Sequence, residues 1–347
     1  MGFSQIVNQD YAKAQLIADL GAKHFPSCIF VGPNGIGKRT TSLILAKALC
    51  CENKTLDSCD ECYRCKGIDR LSYPDVQIIF PVAPNNKQEE TIADLRKEYV
   101  FSKIRPESPS NGTISIDKIR KLKYEMGFPP VAGKRRVVII IDADKMTHEA
   151  ANSFLKTLEE PQAQTSFILN TARSSALLPT IRSRCQSIRF FGIPAQTIVN
   201  FLAKEYKIAK DHAEIAADVA EGSIRRALEY INDPDQFLAE DIKALFEKQE
   251  TIKFNLSEIS SKLNDLPSRN LVDSLLFIYR QAGLAKLGFK THFSEKCSGL
   301  IDPQAKLSID QIMAKVEYLL GTLSDTELYL NKRLFLYSIL VRCLSYG

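Results

Sequence analysis

Apolar residues recur along this chain at two spacings, and the first part of the chain alternates between them. "SCIFV" (27–31), "DVQIIF" (75–80), residues 136–141, "TSFILNTA" (165–172) and "CQSIRF" (185–190) are short runs of strand length. Between them lie segments with apolar positions at helical spacing: "DYAKAQLIADLGAK" (10–23), "TSLILAKALC" (41–50) and "SIDKIRKLKYEM" (115–126), the last with Ser115 as its expected cap. A further helix is expected from about residue 148, capped by Thr147 and stopped by Pro161. Alternating strands and helices predict an α/β fold, a parallel sheet flanked by helices.

From about residue 192 the pattern changes. "AQTIVNFLAKEY", "DHAEIAADVA" and "SIRRALEYIN" read as helices on short connections, and the chain past about 250 is helical again, ending in "TELYLNKRLFLYSILVRCLSY". The expected division is an α/β domain over 1–191, a small helical domain over 192–248 and an all-helical C-terminal domain over 249–347. Residues 81–112 are mostly polar and carry Pro81, Pro84, Pro106 and Pro109, so they read as a loop or insertion, helical around "EETIADLRKEY".

Composition narrows this only a little. The 347 residues are 45% hydrophobic and 25% charged, and 46 Lys+Arg against 41 Asp+Glu give a net charge of +5. A balance this mild is compatible with DNA contact but does not argue for it. No apolar run approaches the ~18 residues of a membrane span, and "MGFSQIVNQD" lacks the pattern of a secretory signal. A cytoplasmic protein without membrane partners is expected.

The chemistry begins in "GPNGIGKRT", between the strand at 27–31 and the helix that follows. Gly32, Gly35 and Gly37 let backbone N–H groups converge on phosphate oxygens, and Lys38 would reach the β- and γ-phosphates of a nucleotide. The next position should carry a Ser or Thr hydroxyl for Mg²⁺. Here it is Arg39, with Thr40 one residue later and ~100° further around the helix. ATP with Mg²⁺ is therefore a candidate ligand whose occupancy the sequence leaves open.

"VVIIIDADKM" (137–146) delivers Asp142 to the strand end where an acid would face that metal. The neighbouring position, where a hydrolase carries a carboxylate to orient water, is Ala143. Asp144 is expected to cap the following helix. Arg39 and Ala143 together remove two catalytic parts, so ATP hydrolysis by this chain is not expected.

Five of the nine cysteines lie within "CCENKTLDSCDECYRC" (50–65). Cys59, Cys62 and Cys65 with Cys51 supply four thiolates at spacings that suit tetrahedral zinc, in a module at about 50–66. Cys50 is the competing fourth ligand, and the sequence barely separates it from Cys51. The C-x2-C-x2-C run also suggests an iron–sulfur cluster, but that signature's fourth spacing and terminal proline are absent. A structural role is expected, pinning a loop with little core of its own.

With these residues in view, the chain resembles the clamp-loader branch of the AAA+ family. The resemblance rests on the glycine loop, the cysteine module after its helix, "LKTLEEP", "LLPTIRSRCQ" and their order, over roughly residues 1–230. The departures at Arg39 and Ala143 are similar to those of its delta-prime class of subunits. The resemblance implies a hetero-pentamer with motor (gamma/tau) and delta subunits that opens a sliding clamp on primed DNA, with the C-terminal helices as its collar. It implies that Arg184 of the Ser183-Arg184-Cys185 motif reaches into a neighbour's ATP site, against a local salt bridge as the alternative. It matches Asn170 to one nucleotide sensor and Arg225, rather than Arg226, to a second. Two other functions compete: an ATP-hydrolysing motor subunit, and a zinc-dependent nucleic-acid-binding protein. The second would need a concentrated basic face, where the sequence shows scattered pairs such as Arg135-Arg136 and Arg225-Arg226.

Overall fold

The structure is a computed structural model of the chain. It describes residues 2–21, 25–53, 56–83, 112–133, 135–160, 164–232, 268–288 and 307–323, with a few positions between 335 and 343. The helix expected around 89–99 and most of the terminal segment 326–346 lie outside the described residues. Two compact units are present: Met1–Lys207 with Ala220–Ala227, and Ile208–Val219 with Leu228–Gly347.

The first unit is built on a five-stranded sheet of β1 (Cys28–Val31), β2 (Val76–Ile79), β3 (Arg136–Ile140), β4 (Thr165–Thr171) and β5 (Gln186–Arg189). The strands run parallel in the order β2-β3-β4-β1-β5. Around it lie α1 (Asp10–Leu20), α2 (Lys38–Cys50), α3 (Tyr63–Asp69), α4 (Ile116–Met126), α5 (His148–Glu159), the single turn α6 (Pro179–Arg182) and α7 (Ala195–Tyr206). The α/β class expected from the alternating pattern is therefore observed. α3 and α6 were not foreseen, being too short for a periodicity to show.

Sheet alternation divides the core. Val137 and Ile139 join Phe30, Ile168, Leu16, Ile44 and Leu45 in one hydrophobic cluster, while Val138 and Ile140 join Phe154, Phe167, Leu169 and Leu122 in another. All five residues of β3 are buried, because a central strand covered on both faces has no solvent side. On the second layer Phe154 of α5 meets Phe167 of β4 edge-on, ring centroids 5.1 Å apart. Thr147 caps α5 as expected, its hydroxyl accepting from Ala150 N at 3.2 Å. Two expected caps are corrected. Ser115 precedes α4 but makes no capping bond. Asp144 caps nothing: its carboxylate accepts from the Thr171 hydroxyl at 2.6 Å and lies 3.7 Å from Arg173.

The second unit is helical in its described residues. It includes most of α8 (Lys210–Ala220), the end of α9 (Ile224–Asn232), α10 (Ser268–Lys286) and α11 (Ile309–Leu323). Leu271, Leu275, Ile278 and Ala282 form a buried stripe on α10 at helical spacing. Buried Tyr279 donates its hydroxyl to Cys343 O, and Lys315 donates to the same carbonyl at 2.9 Å. Among the described residues no helix is long and apolar enough to cross a membrane.

Candidate functional site

The glycine loop lies between β1 and α2, as its spacing requires. Gly35 and Gly37 have φ of 76° and 101°, in the left-handed region that side chains disfavour. Gly35 is also close-packed: a Cβ there would lie 2.1 Å from Ser223 Oγ and 2.7 Å from the Arg225 Cβ. The Arg225 amide donates to Gly35 O at 3.4 Å. The expected sensor arginine thus stands directly against the loop, and Arg226 turns to Glu221, 3.0 Å away.

Lys38 opens α2 and is 5% exposed. Its ammonium donates to Gly32 O and, at 2.5 Å, to Pro33 O. Burial lowers its pKa to about 8, with Asp142 pulling the other way. One residue on, the Arg39 guanidinium donates to Asp142 Oδ2 at 3.0 Å, the two side chains being 17% and 16% exposed. Asp142 reaches that position from a left-handed turn (φ 48°) just past β3. The two positions that would share Mg²⁺ are therefore paired with each other. Thr40 follows within the same first turn of α2.

Ala143 is 1% exposed and presents only a methyl group. Asn170 lies on β4 opposite Phe30 of β1, where parallel pairing carries it to the loop end of the sheet. Its side-chain amide is 3.0 Å from the Ser42 hydroxyl of α2, which also lies 2.9 Å from Lys38 O. The single Ser42 proton serves Lys38 O, so the amide group of Asn170 facing Ser42 is its NH₂ donor. Ser42, Thr171 and Arg173 escaped the sequence reading because no motif marks them; they matter through what the sheet brings beside them.

Arg184 follows α6. Its guanidinium donates to Glu159 Oε1 at 2.5 Å, to Thr180 O at 3.0 Å and to Ser183 Oγ at 3.3 Å. A local ion pair, the alternative weighed for it, is thus formed within the chain. Cys185 beside it is buried in the second core cluster.

The Sγ atoms of Cys51, Cys59, Cys62 and Cys65 all lie within 4.8 Å of one another. Four thiolates around zinc at ~2.3 Å stand ~3.8 Å apart, so a small contraction onto a metal closes this group. Cys62 N donates to Cys59 Sγ at 3.3 Å and Cys65 N to Cys62 Sγ at 3.4 Å, as when a tight turn delivers thiolates. Backbone N–H groups of Cys62 and Glu61 lower the Cys59 thiol to about 7. The group fits a metal ion. Cys50 lies outside it, buried in the first core cluster with its sulfur 4.0 Å from Arg135 O, and burial pushes its thiol up to about 12. The module is also tied to α2 by charge: buried Lys47 bonds both oxygens of Asp69 at 3.0 Å and contacts Asp60.

The family model described as "DNA polymerase III, delta subunit" matches residues 9–193, more than half of the chain. The chain belongs to this family. It is 30% identical to the DNA polymerase III subunit tau of Bacillus subtilis over 79% of this chain and 45% of that protein. It is 30% identical to subunit delta' of the same organism over 62% of this chain and 56% of the relative. This chain thus spans about half the length of those relatives. Among solved structures, a DNA polymerase III gamma subunit-related protein from Thermotoga maritima aligns over 94% of this chain and 97% of that one, at 18% identity and a TM-score of 0.43. The family is that of clamp-loader subunits of DNA polymerase III, and the phosphate loop, parallel sheet and strand-end acid are the parts that the AAA+ resemblance implied.

Proposed function

We propose that this chain is a delta-prime-type, non-hydrolysing subunit of a bacterial replicative clamp loader, working in the cytoplasm. The observation that carries the reading is the Arg39–Asp142 ion pair with Ala143 beside it. Hydrolysis needs a hydroxyl and an acid for the metal and a group to orient water. Here the first position is a guanidinium, the acid is bonded to it, and the third group is a methyl. The partners proposed are motor (gamma/tau) and delta subunits in a hetero-pentamer, the sliding clamp and primed DNA, with the C-terminal helices as collar. Arg184 is proposed to serve a neighbouring motor subunit's ATP site. The cysteine group is proposed to hold a structural zinc through Cys51, Cys59, Cys62 and Cys65.

A motor subunit is the second reading, favoured by the 30% identity to a tau protein over 79% of this chain. The two separate in one experiment. The purified chain, alone and mixed with motor and delta subunits, is assayed for ATP turnover and for co-elution. The expected result is co-elution with negligible turnover by the isolated chain. Turnover at ~1 s⁻¹ or faster, as of an ordinary enzyme, abolished by Lys38→Ala, would move the motor reading to first place. The nucleic-acid-binding reading finds no support in the basic pairs: Arg136 is buried, donating to Glu125 O at 3.0 Å, and Arg226 is paired with Glu221.

A further inference from the structure

The loop that carries the cysteines has little core of its own. Its described residues, 51–53 and 56–62, form neither helix nor strand, and Leu56 is 54% exposed. Closure of such a loop falls to its thiolates and to what it touches. One contact reaches far along the chain. Both oxygens of Asp57, two residues before Cys59, accept from Phe3 N at 3.1 Å, across 54 residues. Asp57 Oδ1 also accepts from Ser58 N at 2.7 Å. The approach is close: a Cβ on Gly2 would lie 2.5 Å from Asp57 Oδ2.

The segment held in this way lies over the first core cluster. Phe3–Gln5 is a single 3-10 turn, in which Gln5 N donates to Gly2 O at 3.0 Å and Ile6 N to Phe3 O at 3.2 Å. A turn this short is not stable by itself. Phe3 and Ile6 are buried in the cluster that also contains Leu16, Ile44 and Leu45. The far end of the segment is fixed differently. Gln9 precedes α1, and its buried side chain donates to Phe191 O at 2.7 Å and accepts from Phe191 N at 3.0 Å. That end depends on α1 and on the exit of β5, whereas the Phe3 end depends on the cysteine loop.

We propose that a zinc ion on Cys51, Cys59, Cys62 and Cys65 fastens the segment Gly2–Ile6 onto the core, with Asp57 as the link, so that loss of the metal frees this segment while Gln9 keeps its hold; this rests on the zinc reading proposed above. The physical reason is linkage. A metal that fixes the loop removes the cost of ordering Asp57, and Asp57 bonded to Phe3 N holds the loop near its metal-bound form. Metal and segment therefore stabilise each other by the same factor. The consequence reaches α2, because Phe3 and Ile6 share their cluster with its Ile44 and Leu45.

The test is amide hydrogen exchange, followed by NMR, on the full-length chain loaded with Zn²⁺ and again after EDTA has removed it, with metal analysis of both samples. The amides of Phe3, Gln5 and Ile6 should exchange about tenfold or more faster without zinc, as when a charge-assisted bond is lost. The Phe191 amide, held by Gln9, should change by less than about twofold. Asp57→Ala keeps all four thiolates. It should still bind zinc, about tenfold or more weakly in competition with a chelator, and exchange at Phe3, Gln5 and Ile6 should be fast with or without the metal. Phe3→Ala leaves the cysteine loop unaltered, should weaken zinc in the same direction, and serves if Asp57→Ala does not fold. Unchanged exchange at Phe3, Gln5 and Ile6 after complete zinc removal overturns the proposal. So does equal acceleration at Phe191, which would mean a general loosening. A chain that holds no zinc overturns this proposal together with the zinc reading, and the metal analysis separates that case from the other two.

Discussion

Arg184 lies two residues past a four-residue helical turn, with its guanidinium committed to Glu159 at 2.5 Å and to Thr180 O. Both partners of that ion pair are half-exposed, and such pairs contribute only ~0–1 kcal/mol. A weak pair does not hold an arginine against a stronger acceptor. A γ-phosphate on an adjacent subunit would offer several charged oxygens in place of one carboxylate. The expected behaviour of Arg184→Ala follows. The chain should fold and assemble normally, while DNA- and clamp-stimulated hydrolysis of the reconstituted loader falls. The site served would lose ~10³ or more, and the total rate less, because other sites remain. Lys at this position should rescue poorly, since a point charge lacks the planar fork. Normal stimulated ATPase and normal clamp loading in the Ala variant would leave Arg184 with only its local pair.

At the scale of elements, α2 joins the phosphate loop to the cysteine module. Its first residue is Lys38, and its C-cap is Cys51 in extended backbone (φ −55°, ψ 142°). The helix ends between two cysteines, and that decides their fates. Cys50, the last helical residue, faces the core, whereas Cys51, freed from helical geometry, turns to Cys59, Cys62 and Cys65. One zinc per chain is expected by metal analysis of the native protein. Cys51→Ser should release it or make it accessible to a mild chelator. Cys50→Ser should retain it, although a hydroxyl buried without a partner costs ~1–3 kcal/mol of stability. Zinc retained by Cys51→Ser and lost from Cys50→Ser would reverse the assignment, and iron with visible absorbance would replace the zinc reading altogether.

For the molecule as a whole, the sheet in the first unit is covered on both faces, and its stability rests on the two clusters that alternate along β3. Phe154 is fully buried between α5 and β4, against Phe167. Phe154→Ala should cost ~3–5 kcal/mol, the sum of lost transfer energy and an unfilled cavity. Urea unfolding followed by circular dichroism, with the two units treated as separate transitions, should show the loss in one transition and leave the other in place. An unchanged midpoint in both would mean that the second layer is not part of the stabilising core.

Local spacing is what the sequence by itself determined. Strand-length apolar runs, the glycine loop and the cysteine knuckle are each set by residues a few positions apart, so the α/β class, the loop and the cysteine candidates were legible. Short elements such as α3 and α6 were not, because a single turn leaves no period to read. Pairing across the fold was left to the tertiary structure. Arg39 and Asp142 are 103 residues apart, and only the parallel order β3-β4-β1 brings the end of one strand to the helix that follows another. Arg184 and Glu159, 25 residues apart, meet only because α6 packs beside α5. The choice between Cys50 and Cys51 turned on where α2 stops, which adjacent residues cannot reveal. In each case the sequence supplied the charged or nucleophilic group, and the topology chose its partner.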